Sequence, residues 1–83
     1  MTKQQIEAIK KLIRYRKVRM RFNPEPGRCV EENDIRASIN YIFVNLSHIC
    51  LGYGKTRAEA REELLALIEN LPPQFHKAIL GSK

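Results

Sequence analysis

Tryptophan is missing from this sequence, cysteine occurs twice, and aromatic residues make up only 7% of the 83 positions. Each scarcity excludes something. Two cysteines cannot build a disulfide scaffold, so Cys29 and Cys50 read as free thiols at core-facing positions. No apolar run approaches the roughly 18 residues that cross a bilayer, and Met1-Thr2-Lys3-Gln4-Gln5 lacks the apolar stretch of a signal peptide. The expectation is a soluble, cytoplasmic protein with no membrane partner. There is no internal repeat and no low-complexity tract. A chain of this length fits a single domain over 1–83, with little room for a pocket that excludes water. With 43% hydrophobic and 29% charged residues it has the composition of a chain that folds, and binding is a better expectation than catalysis.

Acidic residues are scarce in one region above all. Residues 1–21 carry Lys3, Lys10, Lys11, Arg14, Arg16, Lys17, Arg19 and Arg21 against Glu7 alone, a local charge of +7 in a chain whose net charge is +6. Residues 22–54 sum to −2 and residues 55–83 to +1. A clustered basic surface attracts polyanions and raises encounter rates with phosphate backbones, which makes nucleic acid the first partner to consider.

The periodicity of the chain changes several times. Thr2 followed by Gln5 has the form of a capping box, and Ile6, Ile9, Leu12 and Ile13 recur at helical spacing, predicting a basic amphipathic helix over 2–16. Val18, Met20 and Phe22 then alternate with Arg19 and Arg21, the pattern of a strand over 17–22 with one buried and one wet face. Asn23-Pro24-Glu25-Pro26-Gly27 forces a loop, and the polar residues 28–34 continue it. Residues 35–44 fit either period, but β-branched and aromatic residues dominate, which favours a strand. Asn45-Leu46-Ser47 turns the chain into a third strand over 48–53. Thr56-Arg57-Ala58-Glu59 forms a second capping box, opening a helix over 56–71 that Pro72-Pro73 ends. Ala60, Leu64, Leu67, Ile68 and Leu71 make its apolar stripe, and the tail 72–83 holds one further helical turn around Phe75, Ile79 and Leu80 before a frayed end. The predicted fold is α+β, in the order α-β-β-β-α, with a three-stranded antiparallel sheet packed by two helices.

At the last strand–helix junction, Gly52-Tyr53-Gly54-Lys55-Thr56-Arg57-Ala58-Glu59-Ala60-Arg61 resembles the G-x-G-x-S-K-K-x-A-K segment of double-stranded-RNA-binding domains, and the element order agrees. In that family the first helix and the loop after the first strand enter successive minor grooves, while the basic start of the last helix meets phosphates between them. The resemblance implies a phosphate clamp of Lys55, Arg57 and Arg61, assisted by Lys10, Lys11 and Arg14 on the first helix and by Arg28 in the loop. A helix N-terminus is itself an anion site, and Gly52 and Gly54 would allow close approach to it.

Two other resemblances share this stretch. Leu51-Gly52-Tyr53, Lys55-Thr56 and Glu59-Ala60 are also similar to the three-strand-plus-helix DNA-binding domain of phage-type integrases, which implies a base-reading sheet face of Arg19, Arg21, Arg36, Ser38 and Asn40. Cys50, Gly54, Thr56 and Glu59-Ala60 follow the pattern of HicB-type antitoxins, which implies a protein partner instead.

Catalytic signals are weak. Cys29, His48, Cys50 and His76 lack the paired spacing of a zinc site, so no metal is expected. No nucleophile–base pair, P-loop or dinucleotide fingerprint occurs, and no cofactor is implied. Tyr41, Phe43 and Tyr53 could stack on unpaired bases, but aromatics at alternate positions of a helix-packed sheet are more often core. The sequence thus predicts a non-catalytic protein that binds duplex nucleic acid mainly through its backbone.

Overall fold

A computed structural model describes residues 1–43 and 46–81, and their side chains except those of residues 42–48. The order of elements is α1 (Lys3–Leu12), β1 (Arg14–Lys17), β2 (Phe22–Glu25), β3 (Arg28–Val30), β4 (Ile35–Phe43), β5 (Leu46–Gly54), α2 (Arg57–Glu69) and α3 (Pro73–Gly81). The fold is α+β: strands β1, β4 and β5 form an antiparallel sheet in that spatial order, and β2 and β3 form a separate hairpin.

The first helix begins as its capping box dictates. Thr2 Oγ1 accepts from the Gln5 amide at 3.1 Å, and the Gln5 side chain accepts from the Thr2 amide at 2.9 Å. Its end falls earlier than the expected residue 16. Ile13 is already extended, and residues 14–17 pair with β4, from Arg14 opposite Ser38 to Lys17 opposite Ile35. Ile13 and Tyr15 still face the core after the switch, so ladder hydrogen bonds are gained without loss of apolar burial.

The strand expected over 17–22 is therefore displaced. Val18 is buried and its backbone is bonded to Asn33 and Asp34, but Met20 and Phe22 are exposed. Phe22 instead opens the hairpin, pairing with Val30, while Glu25 pairs with Arg28. Residues 28–30, expected as loop, form its second strand. Pro24 is tolerated because a two-stranded hairpin has open edges that need no amide from it. Cys29 lies exposed on this hairpin rather than in the core; Cys50 is buried.

The strand reading of residues 35–43 holds, and β5 is longer than expected, pairing from Gly54 opposite Ile35 to Leu46 opposite Phe43. Leu46 and Ser47 belong to this ladder and not to a turn. Val44 and Asn45 lie outside the described residues, as do Ser82 and Lys83 of the tail and the side chains of Phe43 and His48.

Helix α2 starts at a Thr56 cap whose hydroxyl accepts from the Glu59 amide at 3.2 Å. The reciprocal half of the expected capping box is absent, because the Glu59 carboxylate accepts from the Lys55 amide at 2.9 Å instead. Ala60, Leu64 and Ile68 are fully buried, whereas Leu67 is 44% exposed and leaves the expected stripe. The helical turn expected after the prolines is a nine-residue helix. His76 Nε2 donates to the Ile68 carbonyl at 2.7 Å, tying α3 to the end of α2.

Alternation along the strands assigns two faces to the sheet. Ala37, Ile39, Tyr41, Cys50 and Gly52 face the helices and form the core with Ile9, Ile13, Ala60, Leu64, Ile68 and Ile79. Burial pushes the Cys50 thiol up, so it stays protonated and packs as a small apolar group. Helix α2 lies directly on β5. A Cβ at Gly52 would come within 2.5 Å of the Ala60 carbonyl oxygen, and one at Gly54 within 2.6 Å of the Ala60 amide nitrogen. The close approach that these glycines permit is therefore that of the helix backbone.

Candidate nucleic-acid interface

The other face of the sheet is uncovered by the helices, and the register fixes what it presents. Arg14 lies opposite Ser38, which lies opposite Leu51; Arg16 lies opposite Arg36, which lies opposite Tyr53; Asn40 lies opposite Ile49. Arg14, Arg16 and Asn40 are exposed, Arg36 and Ser38 half-buried. Like charges directly opposite each other on neighbouring strands are destabilising. The Arg16–Arg36 pair is such a contact, and among the described residues neither arginine has an ion-pair partner.

The expected helix-start clamp is arranged differently. Lys55 Nζ bonds the largely buried Asp34 carboxylate at 3.0 Å, which holds the Asp34 carboxyl below its ordinary value of 3.8 and the lysine above its own. The Glu59 carboxylate already occupies the positive end of α2, where an incoming phosphate would bind. Arg57 stacks over the Tyr15 ring at 5.3 Å. Arg61 is half-buried, and its buried Nε has no hydrogen-bond partner among the described residues.

The assisting cations are scattered. Lys10 pairs with Glu7 on the helix surface at 3.4 Å, Lys11 is exposed on the same helix, and Arg14 has moved from that helix to the open sheet face. Arg28 is bound by both Glu25 and Glu63 and lies 5.7 Å over the Tyr53 ring, so it fastens the hairpin to β5 and α2. Hydrogen bonding to Glu63 raises its pKa further above the ordinary arginine value.

The alternative set divides as well. Arg36, Ser38 and Asn40 do share the open face, as alternation requires. Arg19 and Arg21 do not, because they follow β1 instead of lying in it, and Arg21 is held by Cys29 Sγ at 3.0 Å and by Glu31 at 3.7 Å. Their places are taken by Arg14 and Arg16. Arg16 was legible only as a member of the basic run; the signal for its role is the period-two pattern Arg14-Tyr15-Arg16, hidden beneath the end of the helical pattern.

Where the chain leaves β1, it arches past the end of this face and encloses a groove of about 710 Å³. Arg16, Lys17, Arg19 and Arg36 line it together with Val18, Met20 and Phe22, and among the described residues no acidic side chain does. The candidate metal ligands are not brought together: Cys29 is on the hairpin, Cys50 in the core and His76 against the end of α2. No helix among the described residues is long and apolar enough to cross a membrane. Compared with protein-family models, curated proteins and solved structures, the chain matches none.

Proposed function

We propose that this protein is a non-catalytic module that binds duplex nucleic acid through the phosphate backbone, with the open sheet face as its principal contact. The observation that carries this reading is the Arg16–Arg36 pair, with Arg14 one row away. Folding gains nothing from two guanidinium groups set opposite each other without an acid, whereas a phosphate placed between them would turn the repulsion into a charge-assisted bidentate contact. The cations of the helix-start clamp are less available, since Lys55 and Arg28 already hold carboxylates.

The second reading is a contact of the double-stranded-RNA-binding type through the start of α2. It is favoured by the succession of α1, the three strands of the β1-β4-β5 sheet and α2, and by Arg57 and Arg61, which have no acidic partner among the described residues.

Titration of the purified protein against matched duplex RNA and duplex DNA at two salt concentrations tests both readings. With three to five phosphate contacts, the logarithm of the binding constant should fall with the logarithm of salt at a slope of roughly −3 to −4.5. Arg16→Gln with Arg36→Gln should weaken binding by about 1 to 3 kcal/mol, and Lys55→Ala with Arg57→Ala by clearly less. The reverse ranking would move the interface to the helix start, and no binding to either duplex would favour a protein partner.

A further inference from the structure

The groove beside the Arg16–Arg36 pair differs from the rest of the cationic face in one respect: its wall is apolar as well as charged. Met20 is 76% exposed and Phe22 37% exposed, two of the large hydrophobic side chains that the fold leaves in water. Isolated exposed hydrophobic residues are ordinary, but these two line one concavity with four cations. A bare phosphate would use the cations and leave the apolar wall wet. An uncharged apolar ligand would strand four positive charges. The occupant that satisfies both is an anion carrying a flat, weakly polar ring, and the groove falls in the roughly 300–1,000 Å³ range of small-ligand sites.

We infer that the groove takes one unpaired nucleotide, its phosphate on Arg16 and Arg36 and its base against Phe22 and Met20. The proposal rests on the reading that the open sheet face binds nucleic acid, and adds that the preferred substrate is a duplex with a single-stranded end. A base within a duplex is stacked on both faces and cannot present one to Phe22; an unpaired base can. The aromatic platform is already fixed in place. Phe22 meets the Tyr53 ring edge-on at a centroid distance of 5.3 Å, and Arg28 lies over that same tyrosine, so little ordering remains to be done on binding. The lining is also anchored at its middle: Val18 is bonded through its amide to the Asp34 carbonyl at 2.8 Å and through its carbonyl to the Asn33 amide at 2.9 Å.

The test is a fluorescence-anisotropy titration of the full chain with three DNA probes of one core sequence: a blunt duplex, the same duplex with a three-nucleotide overhang, and that overhang made abasic. The overhang should bind roughly fivefold or more tightly than the blunt duplex, and the abasic overhang should return to the blunt value. Phe22→Leu, which keeps an apolar contact to Tyr53 but removes the ring, and Met20→Ser, at a position too exposed to matter for folding, should each reduce the overhang preference while leaving blunt-duplex affinity and the circular-dichroism spectrum unchanged. Equal affinity for blunt and overhang probes, or a preference that survives removal of the bases, would overturn the inference while leaving the sheet-face reading intact. Absence of binding to all three probes would overturn both. Binding to phosphatidylserine vesicles that the Met20 and Phe22 variants abolish, without an overhang preference, would reassign the groove to a membrane surface.

Discussion

The two faces of the three-stranded sheet are built from alternate residues of the same strands, yet they obey different rules. On the covered face the described residues have packing reasons: Ala37 and Gly52 are small where α2 comes close, while Ile39, Tyr41 and Cys50 fill the space beneath the helices. On the open face Arg16 and Arg36 oppose each other without an acidic partner among the described residues, and Ile49 is 65% exposed. A face that only needed to be wet could have interleaved both signs of charge, as the ion pairs around the hairpin do. The difference separates residues kept for the fold from residues whose placement the fold does not explain.

The largest expected effect breaks the covered face. Gly52→Val would place a branched side chain where a single Cβ already meets the Ala60 carbonyl oxygen at 2.5 Å and the Leu64 amide nitrogen at 2.6 Å. Backbone cannot yield there as a flexible side chain would. Helix α2 must lift off β5, at a cost of about 3 kcal/mol or more, which for a domain this small should appear as loss of a cooperative thermal transition.

A smaller effect, of opposite sign, sharpens the comparison on the open face. Arg16→Gln removes one member of the like-charged pair and should leave thermal stability unchanged or raise it by about 0.2–1 kcal/mol. If chemical denaturation instead shows a marked loss of stability, the arginine is held for the fold and the contrast between the faces fails.

The smallest effect concerns the junction between the hairpin stem and α2. Because Lys55 first, and the Glu31 amide second, hold the Asp34 carboxyl below 3.8, the stability it contributes is present above that pH and is lost as pH falls through the lowered folded-state value. Asp34→Asn should flatten the acid limb of the stability–pH profile below about pH 4. The lysine's side of the pair works in the other direction, being fully present below 10.5 and lost at still higher pH. An acid limb unchanged by the substitution would show that other carboxylates carry it.

Much of the framework was legible because it rests on local signals. The Thr2 and Thr56 caps and the strand reading of residues 35–43 are each set by neighbours within a few positions, whereas α2 ends at Glu69, short of the expected Leu71, and Pro73 opens α3. The errors cluster between residues 13 and 30, where two periods overlap. Ile13 and Tyr15 satisfy either a helix or a strand, and only the backbone groups of β4 decide between them. Met20 and Phe22 alternate properly but lie beyond the end of the β1 pairing. The candidate site fared less well for the same reason. Arg36, Ser38 and Asn40 were correctly grouped by alternation, but their cross-strand companions depended on where β1 begins, and Lys55 could not be seen to meet Asp34 from 21 positions away.

By itself the sequence determined the fold class, the placing of the basic excess near the start of the chain and the existence of the capped helices, because composition and short-range hydrogen bonding act before any distant contact forms. Tertiary structure decided the register of β1 against β4, the use of both junction glycines by α2, and which of the described cations hold carboxylates and which do not. Those outcomes depend on which residues meet across long stretches of chain. A one-residue shift in β1 would turn Arg14 and Arg16 toward the helices and Tyr15 toward water.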